Sequence, residues 1–467
     1  MPNIIYGTFN VAKTALMTQQ KALEVTANNI ANVNTEGYSR QRLNMEQNEP
    51  VRIDGGGSLG TGVRASRTIQ RCYDRFLAAQ IADATSQQGR WQAQRETLEK
   101  AELMFDDASG YGLNGAMGEF WNAWQGVANT PSGYAERATL QASAEQMTHL
   151  FNQLSRDLSQ VQADSDISIS AAVADINVLT RDIADLNLRI VEVEAGNQHS
   201  ANTFRDQRDL KLKALSSLVD AKSFEDADGF LAIVSAGGHT LVDRTRSWSL
   251  STQTNADGLQ DVYWESSSGS QHNMTADITT GKLKGWIEAR DTRIPDYLSH
   301  LDDMAVSLAA AVNTQHAGGL DLYGAAGVDF FSPFSGAGDI AVNAVITGDA
   351  NRIAAAADTE NVPGGNSNAV AMAEIQHRLL MSGGSATVDD FFSSLVSDVG
   401  RYVSQATVNG DHQSVVALQL DTYREEVSGV SMDEEMVNMV QFQNAYQAAA
   451  KLVTTMDEML ESLIAMV

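Results

Sequence analysis

The sequence predicts a mainly α protein with a β insert, and three observations carry that prediction. Both ends of the chain place apolar residues at alternating steps of three and four, the period of a helix that packs against another helix. Residues 134–194 keep a helical period with no glycine or proline to break it. Residues 224–279 lose that period and gain turn dipeptides between short β-prone runs. The order is nested: helical ends, helical flanks, β material in the middle.

The C-terminal helix, expected over 431–467, is the plainest. Its stripe runs Met439, Phe442, Tyr446, Ala449, Val453, Met456, Leu460, Leu463 and Val467. Ser431 and Glu434 fit a capping box, and Asp433, Glu434 and Glu435 oppose the positive end of the helix dipole. Val440 and Leu452 lie off the stripe. Such a helix needs a partner. Residues 1–33 carry a second stripe: Ile5, Phe9, Ala12, Leu16, Gln19, Leu23, Thr26, Ile30 and Val33. Asn28, Asn29, Asn32, Asn34 and then Gly37 close it, residue types that tolerate left-handed caps. A two-helix arm buries little apolar area for the entropy it fixes, so these ends are expected to order on assembly.

Residues 46–63 are polar and glycine-rich and read as a long hairpin, with helix resuming near Thr68 through Leu77, Ala84, Trp91, Leu98 and Phe105. A loop with Gly110, Gly112, Gly115 and Gly118 is expected to hold Phe120, Trp121 and Trp124. The 134–194 helix bears a seam from Leu140 to Val161, resumed from Ala172 to Val193 beyond a polar middle at Ser165 and Ser168. At about 1.5 Å per residue it is a rod roughly 90 Å long. Residues 230–234 and 261–264 read as hairpin strands. Helix returns over 283–315, kinked at Pro295. A second irregular insert covers 318–363, with a strand candidate at 340–346. One last seam, Phe392 to Val427, lies on either side of Asn409-Gly410 and ends at Ser428-Gly429.

Composition narrows the function. The chain has 467 residues, 43% of them hydrophobic, enough for two or three cored domains. With 59 acidic against 32 basic residues its charge is −27, which repels phosphate backbones and anionic lipid and argues against nucleic-acid and membrane partners. Cys72 is the one cysteine and forms no internal disulfide. No signal peptide and no membrane-length apolar run is expected, which alone reads as cytosolic.

No catalytic, cofactor or metal constellation survives its context. Gly55-x-Gly57-x-x-Gly60 follows no hydrophobic strand and opens no helix, so it reads as a flexible loop. Asp226-x-Asp228-Gly229 starts like a calcium loop, but Gly237 stands where the bidentate glutamate belongs. The eight histidines form no pair at ligand spacing. Met432, Met436, Met439, Met456, Met459 and Met466 crowd the last helix as adaptable packing residues.

Three motifs go further. Asn28-Asn-Ile-Ala-Asn-Val-Asn-Thr-Glu-Gly-Tyr-Ser-Arg-Gln41 closely resembles the N-terminal motif of the bacterial flagellar axial proteins, the rod, hook and hook-associated family. Ser428-Gly-Val-Ser-Met-Asp-Glu-Glu-Met436 and Gln441-Phe-Gln-Asn-Ala-Tyr-Gln-Ala448 resemble its C-terminal half. Asn313-Thr-Gln-His-Ala-Gly-Gly-Leu-Asp-Leu322 with Gly327-Val-Asp-Phe-Phe331 narrows the resemblance to the hook–filament junction members. The resemblance implies a terminal antiparallel coiled coil from 1–35 plus 431–467. It implies an elongated helical bundle from 36–220, 281–317 and 364–430, and a small β-rich outer domain from 221–280 plus 318–363. Ile5, Leu16, Leu23, Asn29, Ile30, Asn32, Val33, Gly37 and Tyr38 would then meet Met439, Phe442, Tyr446, Val453, Met456, Leu460 and Leu463 in the assembly interface. Implied partners are further copies in a ring, hook protein on one side, and a second junction protein or filament on the other. A chaperone on the C-terminal helix, and type III export without a cleaved signal, complete the picture and revise the cytosolic reading. The alternatives are a rod, hook or flagellin-like protein, and an enzyme on a coiled-coil stalk with its chemistry in 220–365.

Overall fold

A computed structural model describes residues 2–53, 57–105, 112–195, 200–235, 237–266 and 268–465. Helix α1 (Pro2–Ala31) leads into β1 (Gln41–Gln47). A short antiparallel hairpin, β2 (Val51–Ile53) and β3 (Gly57–Leu59), carries the chain back to β4 (Val63–Arg71), which pairs antiparallel with β1 from Gln41 opposite Arg71 to Gln47 opposite Val63. The glycine fingerprint at 55–60 falls across this hairpin, with residues 54–56 outside the described ones. Helix does not resume at Thr68. The backbone there is committed to the β1 ladder, and α2 (Arg75–Met104) begins after Asp74, whose carboxylate accepts the N–H groups of Phe76 and Leu77 at 2.9 and 3.2 Å.

The expected glycine-rich loop is a helix, α3 (Leu113–Asn129). Its buried residues (Leu113, Met117, Phe120, Trp121, Trp124, Val127, Ala128) follow the helical period, so burial of three large aromatics outweighs the poor propensity of Gly115, Gly118 and Gly126. Next comes α4 (Tyr134–Glu194), an unbroken helix of 61 residues, then α5 (Asn202–Leu218).

The β insert forms two sheets. One has four antiparallel strands in sequential order: β5 (Lys222–Glu225), β6 (Leu231–Val234), β7 (Thr240–Asp243) and β8 (Arg246–Ser247). The other has β10 (Gln260–Glu265) between β9 (Leu250–Thr254) and β11 (Gln271–Asn273). The Asp226 carboxylate accepts the N–H groups of Asp228 and Phe230 and pairs with Arg244, so the calcium-like stretch is a hairpin turn. Two asparagines of α4 dock these strands: Asn177 exchanges hydrogen bonds with the Leu250 backbone at 2.7 and 2.8 Å, and Asn187 with Leu231 at 2.8 and 3.1 Å.

Helix returns as α6 (Gly281–Glu288), continues through one π turn at Ala289–Arg293, and runs on as α7 (Ile294–Ala317). The irregularity thus falls just before Pro295, whose ring and missing N–H disturb the preceding turn. Residues 340–346 make a single bridge, Phe331 opposite Val342, and then the short α8 (Ala344–Gly348). Short α9 (Ser367–Ala373) precedes α10 (Val388–Ser428), capped by a Thr387–Asp390 capping box and continuous through Asn409 and Gly410. Helix α11 (Met432–Ala465) ends the described chain. Among the described residues no helix is long and apolar enough to cross a membrane.

Two cores share α4 as a common spine. Leu140 to Val161 pack with α3, α7 and α10, and with Phe330, Phe331, Ile340 and Ile346. Residues 318–363, expected beside the β insert, therefore lie in the helical core. Ile169 to Ala184 pack instead with α5, α6 and the sheets. Between the cores lies a polar layer. Fully buried Arg290, presented by the π turn, meets Asp166 at 2.6 Å and Asp291 at 2.6 Å, while Gln162 donates to its carbonyl at 3.0 Å. The charge is tolerated there because both carboxylates and the Gln260 carbonyl satisfy it.

Candidate functional site: a clasp joining the two ends of the chain

Helices α1 and α11 pack against each other, and the bond between Asn29 near the end of α1 and Glu435 near the start of α11 fixes them antiparallel. Asn29 is the hub. Its amide donates to the Gln41 carbonyl at 2.9 Å and to Glu435 Oε2 at 3.1 Å. Its oxygen accepts the Gln41 N–H at 3.0 Å and the Tyr38 hydroxyl at 2.9 Å. Every donor and acceptor of the side chain is used, at 1% exposure.

Arg40 locks the other side. Its Nη1 meets Glu434 at 2.7 Å, and its Nη2 and Nε meet Glu435 Oε1 at 2.7 and 2.8 Å. Planar, multidentate pairing of this kind fixes geometry as well as charge. The Arg40 N–H donates to the Ser428 carbonyl at 2.8 Å, and the Cys72 N–H donates to the Arg40 carbonyl at 2.8 Å. One residue thus ties α11, β4 and the end of α10 together. The expected Ser431–Glu434 capping box is not seen among the described residues: Ser431 accepts the Glu435 N–H through its carbonyl at 3.0 Å, and the Glu434 carboxylate reaches Arg40 instead.

The turn between α1 and β1 depends on Gly37. Its φ of +76° suits glycine, and a Cβ there would lie 2.5 Å from Leu210. The Ser39 N–H then reaches Asp206 at 3.2 Å, and Arg71 bridges Asp206 and Asp209 at 2.8 and 2.7 Å while lying 4.0 Å over the Tyr73 ring. Burial, with Asp206 and Glu435 nearby, pushes the Tyr38 hydroxyl well above its usual range, so it stays a neutral donor.

The other sequence-derived positions fall as follows. Asn32 binds the Asn28 carbonyl at 2.9 Å and accepts from Thr35, finishing α1. Leu16, Leu23, Ile30, Val33, Met439, Phe442 and Val453 are half-buried, and Met456 is buried. Tyr446 and Leu460 remain exposed at 38% and 37%. The side chains of Ile5 and Leu463 lie outside the described residues. The buried residues of α1 are Ala12, Thr18, Ala22, Val25, Thr26 and Asn29: Ala12 and Thr26 belong to the expected stripe, whereas its Leu16, Gln19, Leu23 and Ile30 are half-buried. Small residues sit innermost, and the large ones flank them. The three-four spacing of Thr18, Ala22, Val25 and Asn29 was available in the sequence, but the bulkier neighbouring stripe masks it.

The internal motif forms a second clasp. Asn313 exchanges hydrogen bonds with the Phe331 backbone at 3.1 and 2.8 Å. Buried His316 accepts the Ala354 N–H on Nε2 at 2.9 Å, which leaves Nδ1–H to donate to the Val328 carbonyl. Burial foremost holds its pKa down, to about 4, and a second proton would set Nε2–H against the Ala354 N–H.

Comparisons with known proteins agree with this geometry. A family model described as the flagellar hook-associated protein FlgK helical domain matches residues 98–331. Flagellar hook-associated protein 1 of Bacillus subtilis (strain 168) is 30% identical, covering 97% of this chain and 96% of its own. The chain belongs to the FlgK family. Flagellar hook-associated protein 1 of Escherichia coli (strain K12) is 26% identical over 97% of this chain and 98% of its own. The flagellar hook junction protein FlgK of Burkholderia pseudomallei shares the fold, with a TM-score of 0.65 at 15% identity over 75% of this chain and all of that one. Models of the flagellar basal body rod protein and of the rod FlgEFG C-terminal region match residues 9–38 and 423–466, the two halves of the clasp. FlgK family membership makes this a hook-associated protein of the bacterial flagellum.

The fold departs from the sequence reading at the histidines as well. Spacing pairs none of the histidines, yet His239 and His272 meet at Asp277 across the two sheets.

Proposed function

We propose that this protein is a non-catalytic adaptor, whose copies form a ring at the hook–filament junction and connect the hook to the filament. The observation that carries the proposal is the pair of clasped ends with an apolar face left over. Met436, Val437, Val440, Leu452 and Met459 of α11 stay exposed on the flank and side away from buried Glu435, Ala449 and Met456, at 50, 57, 55, 44 and 50%. A soluble chain with charge −27 rarely leaves one helix so apolar unless another subunit covers it. The proposed arrangement sets the α1–α11 rod at the inner wall, the α4 bundle outside it and the sheets outermost. Copies of the chain, hook protein, and a second junction protein or filament then share the exposed face. Export through the flagellar type III route without a cleaved signal, with a chaperone on α11 before assembly, follows from the same reading. Antibody labelling of intact flagella tests it. The label should mark the hook–filament boundary alone; label spread along hook or filament would refute the assignment.

A further inference from the structure

Away from the clasp, the fold assembles a set of ligand atoms that sequence spacing conceals. His239 stands at the entrance to β7 in the four-stranded sheet, His272 lies in β11 of the three-stranded sheet, and Asp277 ends the 3₁₀ turn Thr275–Asp277. Asp277 Oδ2 lies 3.2 Å from His239 Nε2 and 3.4 Å from His272 Nε2, and one ligand atom from each residue falls within 4.8 Å of the others. We propose that His239, His272 and Asp277 bind a divalent transition-metal ion, with zinc the best match, stapling the two sheets of the insert together.

Geometry supports this first. Ligand atoms about 2.0–2.1 Å from a tetrahedral zinc are about 3.4 Å apart, the separation that both histidine nitrogens keep from the carboxylate. It is long for a charge-assisted hydrogen bond, which closes to about 2.7–2.9 Å. The chemistry of the set comes second. Two imidazoles and one carboxylate select a borderline ion over calcium or magnesium, which take oxygen ligands.

The site is also built. A Cβ on Gly237 would come 2.8 Å from Asp277 Cβ and 3.2 Å from His239 Cδ2, so glycine at that position lets the two approach. The His239 ring packs against both Trp264, 5.3 Å away, and His272, 4.7 Å away, which are cross-strand neighbours, and Trp264 is itself anchored by its indole N–H to the Thr240 carbonyl at 2.7 Å. Second contacts of this sort orient a metal ligand before the ion arrives. His272 is exposed, so its ring turns to close the set, and water takes the fourth position.

Titration of the untagged full-length chain with Co2+, followed by displacement with Zn2+, tests the proposal. One saturable site with the strong visible absorption of tetrahedral cobalt is expected, bleached by zinc and unaffected by magnesium. His272→Ala and Asp277→Asn alter exposed or isosteric positions and should leave the circular dichroism unchanged while weakening binding at least about 10–100-fold. His377→Ala, an exposed histidine elsewhere, should bind as the parent does. Cobalt spectra unchanged in both site variants, or no saturable binding by the parent chain, would overturn it.

Discussion

Asn29 commits both amide hydrogens and both carbonyl lone pairs to Gln41, Tyr38 and Glu435, so no other side chain can replace it. Asn29→Ala leaves the buried Gln41 backbone groups without their partner, a loss of about 2–4 kcal/mol at the clasp. Asn29→Asp keeps the acceptor but faces a carboxylate with a carboxylate, and should cost at least as much. Hydrogen exchange reads this locally: amides of β1 and the first turns of α11 should lose protection while α4 keeps its own. Unchanged exchange at β1 would mean that Arg40 alone holds the clasp. His316 gives a second test, on pH. Its folded pKa of about 4 lies below the unfolded 6.5, so the unfolded chain takes up a proton first as the solution is acidified. Above pH 6.5 the residue has no effect; from there down to about pH 4 it costs the fold up to about 1.4 kcal/mol per pH unit, and the loss then levels off. His316→Gln should flatten the fall in denaturant stability between pH 6.5 and 4 relative to the parent chain. Parallel profiles would place the acid sensitivity elsewhere.

At the scale of elements, legibility followed the length of the pattern. The α4 limits could be read from the sequence because 61 residues of one period leave no competing reading, and α10 and α11 share that advantage. Element α3 could not be read. Its glycines argue for a loop locally, and only the tertiary burial of Phe120, Trp121 and Trp124 makes it a helix. Strand β4 was hidden for a related reason: its partner is β1, some twenty residues earlier, and pairing is non-local information. Residues 318–363 look like loose insert material, yet Phe330, Phe331, Ile340 and Ile346 are buried on the α4 spine by the Asn313 and His316 clasp. The π turn before Pro295 was visible as a kink, but its use, carrying Arg290 into the polar layer between the cores, was not. The clasp itself was half legible. The motif supplied Asn29, Gly37, Tyr38 and Arg40, whereas the pairing of Arg40 with Glu434 and Glu435 joins residues about 395 positions apart.

For the whole molecule, the clasp explains the nested order. Joining α1 to α11 forces everything between them out as one projection: α5, which meets the clasp through Asp206 and Leu210, packs with the sheets on the C-terminal half of α4, and α4 runs from there to the helical core at its other end. The inner pairing rests mainly on small and polar residues, while Met436, Val437, Val440 and Leu452 of α11 look outward. That division separates folding from assembly, and it can be tested on one helix. Val440 and Leu452 are 55% and 44% exposed and touch no core. The most direct measurement is incorporation of a Val440→Asp, Leu452→Asp double variant into flagella, beside thermal unfolding of the purified chain. Unfolding should stay within about 0.5 kcal/mol per substitution of the parent, and the variant should be missing from isolated hook–filament junctions in cells that no longer swim. Motile cells with the double variant at the junction would contradict the account.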